Sequence, residues 1–261
     1  FIAVAVVILI LVLVLFYMFK GFKGEPEERL PANVAPIRLY LDRCLQNIAN
    51  DAVLTVSEQG GYYILPEKSF DFLNIGVPYY VYNKEMIAPS KEIIQDELSI
   101  YLELNAHKCS DFDSFKAQGF DVSVGIPEVK TSLIAKEVFF EVEFPVKVYA
   151  EEEEQEYKFS KFDITTEADL TKILYVTYRY LKFQEEDMDS LFISRMMELA
   201  NEYELGFEIF TFDSTRVVSL IENKTGVGGE PLIFAFALQW TPLNATGVLM
   251  LNETAIQNVT G

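Results

Sequence analysis

The chain has 261 residues, half of them hydrophobic and 14% aromatic, which is enough apolar material for a packed core and excludes a disordered chain. Forty Asp and Glu stand against 21 Lys and Arg, a net charge of -19, so there is no basic stripe to displace counterions from nucleic acid. Two cysteines and one histidine exclude most zinc sites and any disulfide-dense scaffold.

Residues 1–19 read FIAVAVVILILVLVLFYMF, with no charge, no Pro and no Gly. As a helix this run is about 28 Å long, close to the roughly 30 Å hydrocarbon core of a bilayer. It is apolar all round and has no wet face, which predicts a membrane or filament-core helix rather than a soluble core helix. The alternative is a secretory signal, but no basic region precedes the run and no small-x-small site follows it. Residues 20–36 carry Gly21, Gly24, Pro26, Pro31 and Pro36 and are expected to be a neck linker that cannot continue the helix. Lys20 and Lys23 favour the cytoplasm. The far end of the chain argues the opposite, so the expected orientation is N-terminus in, C-terminus out.

The head is expected over 37–240, with a subdomain joint near 167. Pro36 suits the first turn of a helix running to about Ser57. Ile37, Leu41, Cys44, Leu45, Ile48, Ala52 and Val56 fall on one face of it, and Gly60-Gly61 ends it. Short strands are predicted around Tyr62–Leu65 and Val77–Tyr82. Pro89-Ser90 opens a helix over Lys91–His107, with Ile93, Ile94, Leu98, Tyr101 and Leu104 inward.

From Phe120 to Thr166 the period changes to two. Phe140, Val142, Phe144, Val146 and Val148 alternate with Glu141, Glu143, Pro145 and Lys147, and Tyr157, Phe159 and Phe162 mark a partner strand. Glu151–Glu154 form the hairpin tip, so this reads as an antiparallel meander with one wet face. Thr165 or Thr166 is expected to cap a helix over Glu167–Phe183, buried through Leu170, Ile173, Leu174, Thr177 and Leu181. A further helix is predicted over Asp189–Tyr203, then strands at Gly206–Asp213, Arg216–Glu222 and Leu232–Trp240. The sum is α+β: an N-terminal hydrophobic helix plus a globular head of antiparallel sheet and about four helices.

The tail, 241–261, is dense in N-x-[ST] acceptors. Asn244, Asn252 and Asn258 all fit, with Asn223 just before, and none occurs earlier in the chain. An ordinary Asn/Thr-rich tail is the alternative. The glycosylated reading places the bulk of the chain outside the cell.

In that compartment Cys44 and Cys109 are expected to form a disulfide, closing a loop of about 65 residues. Two buried free thiols are the alternative. His107 lies two residues from Cys109, near a predicted helix C-terminus that suits its charged form. Asp111 with Asp113 and Asp187 with Asp189 are the oxygen-ligand pairs, but neither sits in an EF-hand loop. Thr225-Gly-Val-Gly-Gly lacks the Lys-Ser/Thr of a phosphate loop and reads as a turn. No nucleophile elbow, zinc-protease helix or redox Cys pair is present. The expectation is no enzyme, no metal and no cofactor.

Phe1, Ile2, Ala3, Val4 and Ala5, with the run through Val12 and Phe16 to Phe19, resemble a type IV pilin after prepilin-peptidase cleavage. Bacterial pilins usually carry Glu at the fifth position. Ala5 there is common in archaeal pilins and archaellins, so the resemblance is to the archaeal group. The remainder is similar to uncharacterised membrane-anchored archaeal proteins that share a Cys-Leu helix followed by Gln-Gly-Gly-Tyr, here Cys44, Leu45, Gln59, Gly60, Gly61 and Tyr62. The pilin resemblance implies a structural subunit of an extracellular filament. Its partners are identical subunits packed helix to helix, and the membrane before assembly. It implies no nucleic acid and names no surface or host ligand. The alternative is a monomeric single-pass receptor or adhesin whose helix stays in the bilayer.

Overall fold

The computed structural model describes residues 30–188 and 192–239. The expected helix Phe1–Phe19, the sequons at Asn244, Asn252 and Asn258, and Asp189 lie outside the described residues. The chain divides into two compact units, Phe1–Arg38 and Leu39–Gly261. In the first, the Val34 and Ala35 amides donate to the Pro31 carbonyl at 3.0 and 3.1 Å, a turn that leads into a helix.

The described residues form an α+β fold, as expected. In chain order the elements are α1 (Ala35–Glu58), β1 (Ser69–Phe72), β2 (Ile75–Tyr82), β3 (Glu85–Met86) and α2 (Lys91–Asn105). A 3-10 turn (Ala106–Cys109) and the single-turn α3 (Asp113–Lys116) follow. Next come β4 (Phe120–Val124), β5 (Glu128–Ile134), β6 (Glu137–Ala150), β7 (Gln155–Glu167) and α4 (Leu170–Gln184). The chain ends, among described residues, with α5 (Ile193–Glu202), β8 (Gly206–Phe212), β9 (Thr215–Val227) and β10 (Glu230–Gln239). None of these helices is long and apolar enough to cross a membrane.

The long hairpin β6–β7 is the spine of a four-stranded antiparallel sheet. β7 pairs with β6 from Glu137↔Glu167 to Ala150↔Gln155, with a shift of register between Glu143 and Val146. β5 pairs with β6 only up to Glu143, and β4 only from Val146 on, so they share the other edge of β6. Pro145 falls in the gap, where a residue without an N–H loses no ladder bond. Its carbonyl still accepts from the Gly125 amide at 2.7 Å. The predicted alternation holds residue by residue: Val138, Phe140, Val142, Phe144, Val146 and Val148 are buried, and Glu141, Glu143, Pro145 and Lys147 are exposed. Glu151–Glu154 make the turn.

The second sheet has six strands in the order β1-β2-β10-β9-β8, with β3 also on β2. β2 and β10 run parallel; the other pairs are antiparallel. One face buries Tyr80, Val218, Leu220, Leu232, Phe234, Phe236 and Leu238. The other carries Val77, Val217, Ala235 and Ala237, with Phe70, Phe72, Ile75, Tyr79 and Phe210 packed on them.

Helices brace both sheets. α2 runs along β5: Gln95 donates to the Thr131 carbonyl at 2.8 Å, Ser99 meets the Thr131 hydroxyl at 2.7 Å, and Glu103 accepts from the Val129 amide at 2.8 Å. On α1, Gln46 donates to the Thr165 carbonyl and Asn50 accepts from the Thr166 hydroxyl of β7. Lys172 of α4 reaches Glu222 of β9, which is fully buried, at 3.3 Å.

Four expectations need correction. Tyr62–Leu65 is not a strand. Its Tyr63 and Ile64 amides donate to the Glu97 carboxylate at 2.9 and 2.8 Å, a tertiary partner that replaces a ladder. α2 ends at Asn105, and its buried stripe is Ile94, Leu98, Ser99 and Leu102, while Ile93 and Leu104 are exposed. The cap of α4 is Asp169, whose carboxylate accepts from the Lys172 amide at 3.2 Å; Thr165 and Thr166 still belong to β7. The last helix starts at Ile193, β9 runs longer than predicted, over Thr215–Val227, and β10 starts earlier, at Glu230, while the expected strand end Trp240 lies outside the described residues.

Candidate functional site

Cys44 of α1 and Cys109 of the 3-10 turn are joined, with Cα atoms 5.7 Å apart and 65 residues between them in sequence. Both cysteines of the chain are thereby used, so no thiol remains beside His107. The His107 Nδ1 lies 2.7 Å from the Leu104 carbonyl. A carbonyl only accepts, so Nδ1 carries the proton in this contact. Edge-on rings beside the disulfide, Tyr40 against Phe112 and Phe115, pack α1 onto α3.

Asn223 is exposed on β9 and its sequon is open to solvent at that residue. Its two neighbours differ in burial. Glu222 is buried against Lys172, and Lys224 pairs at the surface with Glu204. Asp111 and Asp113 are exposed, and the Asp113 amide donates to Asp111 at 3.4 Å. Among the described residues no three His, Cys, Asp or Glu side chains converge to hold a metal.

The Gln59-Gly60-Gly61-Tyr62 motif is a junction in the fold. Gly60 and Gly61 have φ of +55° and +83°. A Cβ on Gly60 would stand 2.5 Å from the Ala235 carbonyl oxygen, and one on Gly61 would stand 2.6 Å from Ile94 Cγ1. Only glycine lets α1 end here in close contact with both the six-stranded sheet and α2. The Gly60 carbonyl accepts from the Tyr80 hydroxyl at 2.8 Å, and Tyr80 stacks on Phe236.

Among the described residues an open cleft of about 520 Å³ lies between the segment after β3 and α4. Met86, Ala88, Pro89 and Leu181 give it an apolar floor, and Lys91, Lys182 and Glu185 stand around it. Ser90 caps α2 from the cleft, accepting from the Ile93 amide. A hydrogen bond from the Ser90 hydroxyl holds the Glu92 carboxyl below its ordinary range. The Tyr178 hydroxyl donates to the Pro89 carbonyl at 2.9 Å and ties α4 to the start of α2. Burial, helped by the Glu92 carboxylate and Tyr62, pushes the Tyr178 hydroxyl up to about 12. Tyr178 is therefore a neutral donor at ordinary pH and no general base. An apolar floor with lysines at its rim suits binding of an apolar group flanked by carboxylates.

The sequence signalled part of this region, through Pro89-Ser90 as a helix start. Met86, Tyr178, Leu181 and Lys182 carried no local signal, because β3 and α4 meet only in the fold. No protein-family model, curated protein or solved structure matches the chain.

Proposed function

We propose that the chain is a structural subunit of an extracellular pilus-like filament, polymerising through Phe1–Phe19 and displaying an acidic, glycosylated head. The observation that carries this reading is the Cys44–Cys109 disulfide. Disulfides persist in oxidising compartments, which supports a head outside the cytoplasm. A head on that side, on the same chain as a 19-residue uncharged apolar run, needs that run for a membrane or for a filament core. The exposed Asn223 sequon agrees with an outward surface.

Electron microscopy of the full chain purified from its native envelope tests the proposal. Filaments are expected, and Val12→Asp should abolish them, since a charge in a dry helix core costs about 2.5–3.5 kcal/mol even on the lenient insertion scale. Detergent-solubilised single particles, with no filaments, would favour the monomeric receptor or adhesin instead.

A further inference from the structure

Strand β8 is an open edge without protection. It ends the six-stranded sheet, so the outward N–H and C=O groups of Gly206–Phe212 have no ladder partner among the described residues. Its sequence, GFEIFTF, holds one charge and no Pro, whereas edges are ordinarily blunted by charge, Pro or shortness. Other edges follow that rule. β1 has four residues and β3 two, and β7 carries Glu156, Lys158, Lys161 and Asp163 along its length. Beside β8 the apolar cover is also unfinished: Phe70, Phe72 and Phe210 are half-buried and Phe212 is 39% exposed. Among the described residues β1 and β8 touch through these rings and share no backbone hydrogen bond.

The chain leaves the described residues at the matching place. Gln239 ends β10 opposite Thr215, and Phe212 ends β8 opposite the same residue from the other side. These two ends are therefore two strand spacings apart, about 10 Å. β10 and β8 are both antiparallel to β9, so they point the same way. A segment that turns back after Gln239 runs antiparallel to β8. Residues 240–261 follow, and Trp240–Asn252 hold no charge in a chain of which 23% is charged. Pro242, Asn244 and Gly247 are turn formers. Val248–Leu251 is an apolar run bounded by Gly247 and Asn252, the pattern of a short buried strand. The eight residues 240–247 can span about 26 Å. That is enough to pass three strand spacings, about 14 Å, and to turn.

We infer that Val248–Leu251 pairs antiparallel with the outer edge of β8, adding a strand to the six-stranded sheet and covering Phe210 and Phe212. The tether decides between this segment and the same segment of another copy, because a short linker holds it at an effective concentration on the order of millimolar. Asn244 then falls in the crossover and Asn252 just past the strand, so a sugar on either leaves the ladder intact. This pairing concerns the head alone and holds for a filament subunit and for a receptor.

Hydrogen exchange read by mass spectrometry on the full chain, solubilised as monomers in detergent, tests the pairing. The amides of Val248–Leu251 are expected to exchange at least tenfold slower than those of Ala255–Val259, which serve as an internal reference. Leu249→Pro removes a ladder donor. It should speed exchange at least tenfold in the tail run and at the β8 amides that do not bond β9, while peptides of α1 keep their wild-type rates. Equal rates over 248–251 and 255–259 would overturn the added strand. So would β8 exchange that Leu249→Pro leaves unmoved. Protection present in assembled material and absent from monomers would assign the strand to a neighbouring copy and overturn the tethered docking.

Discussion

The rings of Phe72 and Phe210 lie with centroids 4.8 Å apart, although β1 and β8 are opposite edges of one sheet. Three strands, β2, β10 and β9, stand between them. In a flat sheet that separation is about 19 Å. Phe70 and Phe212 meet in the same way, at 5.1 Å. The sheet is therefore strongly curled, and the four rings close over its concave face. The middle of that face is lined by Ala235, Ala237, Val77 and Val217. Small residues there leave room for the two edges to approach.

Ala237→Phe should wedge the curl open. Ala237 is fully buried, and overpacking a filled core costs about 1–3 kcal/mol. Urea unfolding is expected to show a lower midpoint with an unchanged slope. An unshifted midpoint would mean that the concave face has space to spare.

Gly60→Ala should cost more than Gly119→Ala. Both residues have positive φ, +55° and +84°, so both substitutions carry backbone strain of about 1–2 kcal/mol. Around Gly119 a Cβ would find its nearest neighbour at 3.9 Å, whereas at Gly60 it meets the Ala235 carbonyl at 2.5 Å. The excess, about 1–3 kcal/mol, reports the close approach alone. Equal losses in paired denaturation curves would remove the junction role given to the Gln-Gly-Gly-Tyr motif.

Lys172→Met should strand a buried carboxylate. Glu222 is fully buried, and Lys172 reaches it at 3.3 Å from a mostly buried position. Breaking such a pair from one side costs about 3–5 kcal/mol. The Lys224 amide still donates to Glu222 at 3.0 Å, which favours the low end of that range. The double variant Lys172→Met/Glu222→Gln should recover part of the loss in thermal melts. A double variant as unstable as the single one would show that the pair's shape, not its charge, matters.

The β6–β7 hairpin was fully legible in sequence, because one wet face forces Glu141, Glu143 and Lys147 to alternate with Phe140, Val142 and Val146. α1 was legible for a similar reason, with Gly60-Gly61 as an unambiguous stop. Where several partners competed, local pattern failed. Tyr62–Leu65 has the composition of a strand, yet its amides are claimed by Glu97, 33 and 34 residues away. Thr166 has the chemistry of a helix cap, but its pairing with Val138 and its bond to Asn50 keep it in β7 and leave Asp169 to cap. α2 carries apolar residues on more than one face, so spacing alone could not choose Leu102 over Leu104. Of the cleft only the Pro89-Ser90 helix start was legible, since Met86 and Leu181 are brought to it only by the fold.

Stability should fall in alkali before the disulfide or the backbone is challenged. Burial, reinforced by Glu92 and Tyr62, raises the Tyr178 hydroxyl from its ordinary value of 10.0 to about 12. Burial also raises Tyr80 and Tyr180. Above pH 10 the unfolded chain loses these protons while the folded chain keeps them. The folded state then binds more protons than the unfolded one, so stability declines with rising pH. The contribution is whole below pH 10 and is lost as pH climbs through about 12. For Tyr178, half-buried and partly screened by solvent, it amounts to about 1–2 kcal/mol. Urea midpoints at about pH 9 and about pH 11.5 should differ accordingly. Tyr178→Phe should flatten part of the decline, at the cost of the bond to the Pro89 carbonyl. Tyrosinate absorbance of the folded protein should lag behind that of the urea-unfolded chain over the same range. Identical titrations of the folded and unfolded chains would show that these hydroxyls are open to solvent.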